Sequence, residues 1–423
     1  MEKELFANGK SKLLKPETLM MGYGYKPEWS EGAVKCPIFQ TSTFVFENAK
    51  DGKEFFEMAH GIREPGKHGA GLIYSRINNP DLEILEDRLT LWDGAESCAA
   101  FASGMAAMTT TVMEFVEPGD FILTSEPIYG GTDNLFDHIV KRFGVKAINF
   151  GAKHTKNMIL EKLERMGALN RISMIVIETP ANPTNDLIDL EMCVELAKEL
   201  STPQRRVVTV VDNTFLGPLF QRPLKHGIDL VIYSATKYIG GHADVIAGAC
   251  LGSKEHINRV KQLRSVFGSM ADPWTTWLLM RSLETLKIRM ETAVEGAKIV
   301  ANFLNNHTKI QKVYYLGLLK ETDLQYSIYK KQCLSPGAII SFEVKGGEAE
   351  AFKVLDSLKM IRLAVSLGGT ESLAEHPAAM THSGVEPDKR LEFGITDNLL
   401  RLSVGVEAPE DIIWDLDQAL AQI

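Results

Sequence analysis

The sequence of 423 residues lacks a basic excess, paired cysteines and long hydrophobic runs. Lys and Arg total 46 against 55 for Asp and Glu, and the net charge of −9 argues against a protein that binds nucleic acid. The five cysteines are scattered without a CxxC pair, a pattern typical of reduced thiols rather than of a disulfide framework or a metal site. No run of about 18 apolar residues occurs, and the first residues lack the hydrophobic segment of a secretory signal. We therefore expect a cytoplasmic protein without a metal, membrane or nucleic-acid partner.

What is present is a composition typical of globular proteins, with 45% hydrophobic and 24% charged residues. The length favours two or three domain-sized units. Residues 1–72 are irregular in pattern and predict an extended arm that needs another surface to pack against. From Asn79 to Gly94 the pattern predicts an amphipathic helix, with Pro80 in its first turn and Gly94 at its end.

Strand-like and helix-like segments alternate between residues 100 and 252. The apolar runs are rich in Val and Ile, as in strands that are buried on both faces of a sheet. Such alternation predicts a largely parallel α/β sheet with helices on both faces. The predicted strands are 121–125, 146–150, 172–178, 206–212, 229–234 and 244–252, and the predicted helices are GMAAMTTTVMEF, DNLFDHIVKRF, ILEKLERMG and MCVELAKELS.

The C-terminal part has a different pattern. A long helical region spans residues 273–306, and strands are predicted at 338–344, around 360–366 and at 399–406. A terminal helix follows, with Pro409 near its first turn. We expect a smaller α+β domain here, and we divide the chain into an arm (1–77), an α/β domain (78–272) and a C-terminal domain (273–423).

Two charged residues follow predicted strands of the α/β region. Lys237 lies just beyond the strand DLVIY, where ligands bind in open α/β sheets, and a partly desolvated lysine can form an imine. Asp212 ends the strand RVVTVVD, and a buried acid needs a partner such as a protonated ring nitrogen. Taken alone, Lys237 also fits a surface lysine in a loop, and Asp212 also fits a helix cap.

Two further features have the same ambiguity when taken singly. Ser103 and Gly104 open a helix of small residues, where N–H groups and the helix dipole favour a phosphate, although an ordinary Ser cap fits as well. Tyr129 precedes two glycines and can stack on a flat ring or simply anchor a turn. Together with Lys237 and Asp212 they supply every part of a pyridoxal phosphate site.

Longer motifs surround these residues: YSRINNP (74–80), ASGMAA, EPIYGGT, ETPANPTN (178–185), VVDNTF (210–215), YSATKYIGGHAD (233–244), SLGGTESLAEHPAAMTHS (366–383) and LLRLSVGVE (399–407). In these motifs, from about residue 35 onward, the chain resembles the γ-family of pyridoxal-phosphate enzymes of sulfur amino-acid metabolism. This family covers trans-sulfuration enzymes, methionine γ-lyases and O-acylhomoserine sulfhydrylases. The resemblance implies the fold-type-I, aminotransferase-like α/β fold, with pyridoxal 5′-phosphate as the cofactor.

The resemblance also implies a role for individual residues. Lys237 would bind the cofactor covalently and move protons, and Tyr129 would stack on the ring and assist the leaving group. Asp212 would hold the ring nitrogen protonated. Phosphate would be bound by Ser103, Gly104, Met105, Ser234 and Thr236, and by Tyr74 and Arg76 from a neighbouring subunit. The substrate would be bound by Asn182, Ser366 and Arg401, with Arg401 on its carboxylate. Taken alone, Arg401 also fits an ion pair at the edge of the core. Tyr74 and Arg76 also fit local packing at a helix start.

The member of the family is less sharply defined. Val365 stands where cystathionine γ-synthases and γ-lyases are expected to have Glu, and an apolar residue suits a thioether better than an ammonium group. We therefore expect a methionine γ-lyase-like carbon–sulfur lyase, which converts L-methionine or related homocysteine derivatives to a thiol, 2-oxobutanoate and ammonia. Gly131, where many bacterial methionine γ-lyases have Cys, and the insertion at 61–71 point the other way, so cystathionine γ-lyase, γ-synthase or β-lyase remains open, followed by O-acylhomoserine sulfhydrylase.

Two expectations concern the protein as a whole. A residue pair that completes a neighbour's site requires at least a dimer, and the resemblance implies a homotetramer built as a dimer of dimers.

The alternative from another functional class is a non-catalytic protein with the same fold. It is disfavoured because Lys237, Asp212 and Arg401 are all present.

Overall fold

The computed structural model describes residues 3–7, 10–64 and 71–423. The predicted insertion at 61–71 therefore lies mostly outside the described residues. The first 77 residues contain more regular structure than the sequence indicated. A short hairpin and two helices occur there, β1 (Glu4–Ala7), β2 (Lys10–Leu13), α1 (Pro16–Leu19) and α2 (Ala49–Ala59). The expectation of an irregular arm was wrong for α2, which Asn48 caps by accepting the N–H of Asp51.

The predicted helix after the arm is confirmed as α3 (Pro80–Asp93). Asn79 caps its start, and Gly94 ends it in a left-handed conformation with φ of 70°. Ten of its residues are buried, and its Leu side chains pack into the core beneath the sheet. The helix thus joins the arm to the central sheet.

The central sheet has seven strands in the order β3-β9-β8-β7-β6-β4-β5. Strands β8, β7, β6, β4 and β5 are parallel, whereas β9 runs antiparallel to both β3 and β8. The elements are β3 (Ser97–Phe101), α4 (Gly104–Phe115), β4 (Phe121–Glu126), α5 (Gly130–Asn134), β5 (Lys146–Gly151), α6 (Lys156–Arg165), β6 (Ile172–Glu178), α7 (Leu190–Leu200), β7 (Val208–Asp212), α8 (Gly217–Phe220), β8 (Leu230–Ser234), β9 (Gly248–Gly252) and α9 (Lys254–Phe267).

The mostly parallel sheet predicted from the sequence is confirmed, with three corrections. The strand at 97–101 was missed because SCAAF has no β-branched residue. The strand at 244–252 is shorter than predicted, since 235–247 form the loop beyond β8. The helix predicted in DNLFDHIVKRF is a short α-helical turn followed by π and 3₁₀ turns.

The C-terminal part forms a five-stranded sheet in the order β10-β11-β14-β13-β12, covered by helices. The long helical region is two helices that meet at residues 284–285, and only two residues of the stretch at 360–366 form a strand. The elements are α10 (Pro273–Leu283), α11 (Leu286–Asn306), β10 (Ile310–Tyr314), α12 (Tyr326–Gln332), β11 (Ile339–Val344), α13 (Glu348–Ser357), β12 (Arg362–Leu363), β13 (Leu373–Glu375), α14 (Pro387–Glu392), β14 (Leu399–Ser403) and α15 (Pro409–Leu420). None of the helices in the described ranges combines the length and hydropathy that a membrane-spanning helix needs.

Candidate active site

A cavity of about 300 Å³ lies at the carboxyl edge of the central sheet. Three adjacent parallel strands end beside it, β6 at Glu178, β7 at Asp212 and β8 at Ser234. The β14 strand of the second sheet closes the cavity from the other side through Arg401. Among the residues predicted from sequence, the lining includes Ser103, Gly104, Met105, Tyr129, Asn182, Asp212, Ser234, Thr236, Lys237, Ser366 and Arg401.

Lys237 lies in the loop beyond β8, and its main-chain N–H donates to the Ser234 carbonyl at 3.0 Å. The ammonium Nζ lies 2.7 Å from Ser366 Oγ. Burial lowers the pKa of Lys237 to about 8; the nearby Arg401 charge lowers it as well, whereas Glu375 opposes the shift. A larger share of this lysine is therefore a neutral nucleophile near neutral pH than for an exposed lysine.

Two acidic residues end neighbouring strands and line the cavity. Glu178 and Asp212 are register partners of the parallel pair β6 and β7. Asp212 accepts hydrogen bonds from the Thr214 N–H at 3.0 Å and the Thr214 hydroxyl at 2.6 Å. Burial raises the pKa of Asp212, and a cation bound in the cavity would favour its charged form.

The opening of α4 approaches the end of β8 too closely for any side chain at residue 104. A Cβ on Gly104 would lie 2.9 Å from Ser234 Cβ and 3.0 Å from Ser234 Cα. Ser103 caps the helix, since its Oγ accepts the Ala106 N–H at 3.0 Å. The capping contact that the sequence left open is thus present and engages the Ala106 N–H, while Gly104 and Met105 line the cavity at the start of the helix.

Tyr129 lines the cavity from the loop after β4, with its side chain 46% exposed. Its N–H donates to Glu178 Oε2 at 2.7 Å. A Cβ on Gly131 would lie 2.6 Å from Tyr129 Cε1 and 3.0 Å from Met105 Sδ. The glycine at residue 131 therefore permits this placement of the Tyr129 ring.

The opposite end of the cavity is built around the buried guanidinium of Arg401. It pairs with Glu375 Oε1 at 2.7 Å, and it donates to Asn182 Oδ1 at 3.0 Å and to the Ser366 carbonyl at 2.6 Å. Within the described residues, Arg401 Nε is buried without a hydrogen-bond partner. Ser366 has a φ of 97°, a strained conformation for a residue with a side chain, at the point where it contacts both Arg401 and Lys237.

Tyr74 and Arg76 do not line this cavity within the chain. Tyr74 is 40% exposed and forms an isolated bridge with Thr43. Arg76 donates to the Ser265 carbonyl on α9, and its Cζ lies 5.8 Å from the centre of the Tyr74 ring. Their contribution to a neighbour's site therefore stays a prediction.

The sequence did not single out Glu178 and Glu375, which are central to the site. Glu178 begins the motif ETPANPTN and ends an apolar strand, the same signal that identified Asp212. Glu375 ends β13, a three-residue strand that has too few residues to show a period.

The sequence profile of the family "Cys/Met metabolism PLP-dependent enzyme" matches residues 17–421. The chain belongs to this family. It is 41% identical over 394 residues to an L-methionine γ-lyase of Fusobacterium nucleatum subsp. nucleatum, covering 93% of this chain and 94% of that protein. It is 40% identical over 399 residues to a cystathionine γ-lyase of Sus scrofa, covering 94% of this chain and 91% of that protein. The fold is also similar to the crystal structure of cystathionine γ-synthase from Xanthomonas oryzae pv. oryzae in complex with aminoacrylate and cysteine. The two structures superpose with a TM-score of 0.85 at 32% sequence identity, and the match covers 97% of this chain and 99% of that chain.

As a member of this family, the chain uses pyridoxal phosphate, and the cavity fits that cofactor. The start of α4 lines the cavity together with Ser234 and Thr236, and the N–H groups of a first helical turn suit a phosphate. Asp212 and Lys237 line the same cavity, and both are desolvated there, as an acid for a cationic ring nitrogen and an amine for the cofactor require. Gly104, Met105, Ser234 and Thr236 would hold the phosphate, and Asp212 would hold the ring.

Proposed function

We propose that this chain is a carbon–sulfur lyase that eliminates the γ-thiol of L-methionine or of related homocysteine derivatives. The products are a thiol, 2-oxobutanoate and ammonia. The alternative reaction is cystathionine processing by a γ-lyase, γ-synthase or β-lyase, and the third is O-acylhomoserine sulfhydrylation. The relative from Fusobacterium nucleatum supports the first reaction, whereas the relative from Sus scrofa and the Xanthomonas structure support the second.

The observation that favours a thioether substrate is the apolar surface at the cavity opening. Val365 and Ile246 both line the cavity, with exposed fractions of 53% and 68%. Val365 directly precedes Ser366, whose hydroxyl contacts Lys237 and whose carbonyl accepts from Arg401. A methyl thioether gains from apolar surface there, whereas the ammonium group of cystathionine would need a carboxylate partner.

The chain's own groups account for substrate binding and proton movement. Pyridoxal phosphate, when bound, supplies an electron sink for the carbon that carries the substrate amine. Arg401 binds the substrate carboxylate, and Asn182 and Glu375 fix the guanidinium in the necessary orientation. Lys237 takes the proton from Cα and releases it before it takes one from Cβ, with Ser366 holding its Nζ. Tyr129 assists the departure of the thiol from Cγ.

The proposal includes the organisation of the protein. The arm (1–77) contacts a neighbouring subunit, the α/β domain (78–272) holds the cofactor, and the C-terminal domain (273–423) supplies Arg401 and Ser366. Tyr74 and Arg76 bind phosphate in the neighbour's site, within a homotetramer. A cytoplasmic location agrees with five cysteines that are all free thiols.

A substrate panel tests the proposed reaction. The purified holoenzyme is assayed with methionine, cystathionine, homocysteine and cysteine, and with O-acylhomoserine plus sulfide, and each product is identified. We expect methanethiol and 2-oxobutanoate from methionine, with a kcat/KM at least equal to that for cystathionine. Rapid turnover of cystathionine without any methanethiol from methionine would contradict the proposal and favour the second reaction.

A further inference from the structure

Glu178 is the buried acid of the site that the proposed mechanism does not use. It ends β6, is 5% exposed and lines the cavity beside Asp212. Its own N–H donates to Ser125 Oγ at 2.9 Å, which ties its backbone to the end of β4. An acid in this position is costly unless both of its oxygens are hydrogen bonded.

The two carboxylate oxygens of Glu178 serve two different loops. Oε2 accepts the main-chain N–H of Tyr129 at 2.7 Å, and Oε1 accepts the main-chain N–H of Asn182 at 3.0 Å. Tyr129 belongs to the loop after β4, and Asn182 belongs to the loop after β6. One side chain therefore fixes the distance between two loops that are not joined in sequence.

Each loop carries a residue of the proposed mechanism. Tyr129 is the residue proposed to stack on the cofactor ring, and Asn182 Oδ1 accepts a hydrogen bond from Arg401 Nη1 at 3.0 Å. The contacts form a continuous series from Tyr129 through Glu178 and Asn182 to Arg401. A shift of Glu178 would displace the cofactor wall and the substrate wall of the cavity together.

We propose that Glu178 is a positioning residue that couples the cofactor-stacking wall at Tyr129 to the carboxylate-binding wall at Asn182 and Arg401. It acts through main-chain N–H groups and not on the reacting atoms. The proposal rests on the proposed function for the roles of Tyr129 and Arg401. Its geometric part, the link between the two loops, has a readout that requires no substrate.

The substitution Glu178→Gln tests this role with little change in volume. The amide has one oxygen that can accept and an NH₂ group that would face the second N–H donor, so one of the two loops loses its contact. We expect a changed visible circular dichroism spectrum of the bound cofactor, since that signal depends on the ring's asymmetric surroundings. We also expect kcat/KM to fall about 10- to 100-fold, as for the loss of a buried hydrogen bond, with changes in both kcat and KM.

Glu343→Gln is the matched control. Glu343 is also a buried acid, 6% exposed, and accepts the Tyr314 hydroxyl at 2.6 Å on the second sheet, away from the cavity lining. The Glu343→Gln substitution should leave the cofactor spectrum unchanged and keep kcat/KM within about threefold of the value for the original protein. An unchanged cofactor spectrum in Glu178→Gln, or an equal change in Glu343→Gln, would overturn the proposal.

A double-mutant cycle covers the case in which Glu178→Gln is poorly folded. Glu178→Asp keeps the carboxyl group but shortens the side chain, and it is combined with Asn182→Ala. Because Glu178 acts on the substrate through Asn182, the two effects on KM should be clearly less than additive. Additive effects would contradict the coupling. The circular dichroism is measured without substrate. A failure of this proposal is therefore distinguishable from a failure of the protein to act on methionine.

Discussion

Lys237 shows how the fold changes the chemistry of a single residue. The motif YSATKYIGG predicts that it follows a strand, whereas its lowered pKa depends on the tertiary packing around it. Burial comes first among the causes, and the Arg401 charge adds to it. The same side chain on an open surface would be almost entirely protonated near neutral pH.

The pH dependence of cofactor capture tests this environment. With a pKa of about 8, roughly 9% of Lys237 is neutral at pH 7, against about 0.03% for an ordinary lysine of pKa 10.5. The neutral amine is the attacking form, so the capture rate should rise about tenfold per pH unit below pH 7.5 and level off above about pH 8.5. Absorbance-monitored reconstitution of the cofactor-free protein measures this profile, and Lys237→Ala serves as the blank. A rate that continues to rise toward pH 10.5 would show that the lysine is unperturbed.

Some elements that form the site can be predicted from the sequence, whereas others cannot. The strands that end at Glu178, Asp212 and Ser234 follow from apolar runs bounded by polar residues, and all three were predicted. Strand β13, which places Glu375 against Arg401, has three residues and depends on its antiparallel partner β14. The positive φ of Ser366 is likewise set by tertiary contacts, which no local pattern encodes.

The approach of α4 to β8 gives a prediction at the level of elements. Gly104→Ala would force the helix start and the end of β8 apart, since the new Cβ would meet Ser234 at 2.9–3.0 Å. We expect the free energy of unfolding to fall by about 1–3 kcal/mol and cofactor affinity to weaken. Denaturant unfolding and cofactor titration measure both effects.

Gly296→Ala, within α11, is the control for this substitution. Its Cβ would have only an ordinary contact with Val404 at 3.6 Å, so the change should stabilise the protein by about 0.5–1 kcal/mol. If Gly104→Ala were as stable and bound cofactor as tightly as Gly296→Ala, the close approach would have no role in the site.

For the whole molecule, the net charge of −9 is not reversed at the site. The substrate carries a carboxylate and the cofactor a phosphate, so the placement of the positive groups matters more than the sum of the charges. Among the ionisable side chains that line the cavity, Lys237 and Arg401 are accompanied by Glu178 and Asp212, and Arg401 also pairs with Glu375. The position of Arg76 outside the cavity of its own chain is consistent with a contribution to a second subunit.

Complementation between two inactive variants tests the shared site. Lys237→Ala and Arg76→Ala are each expected to lose nearly all activity. If Arg76 serves the neighbour, dissociating and reassociating an equal mixture should restore about a quarter of the original activity, because half of the dimers have one complete site. No recovery from a properly reassociated mixture would place Arg76 in its own chain's site or outside any site.

The measurement that tests the central claim most directly identifies the lysine that holds the cofactor. The holoenzyme is reduced with borohydride and digested, and the pyridoxyl-bearing peptide is located by mass spectrometry. The account predicts a single modified residue, Lys237, between β8 and β9. A pyridoxyl group on another lysine, or a holoenzyme in which no lysine is modified, would contradict it.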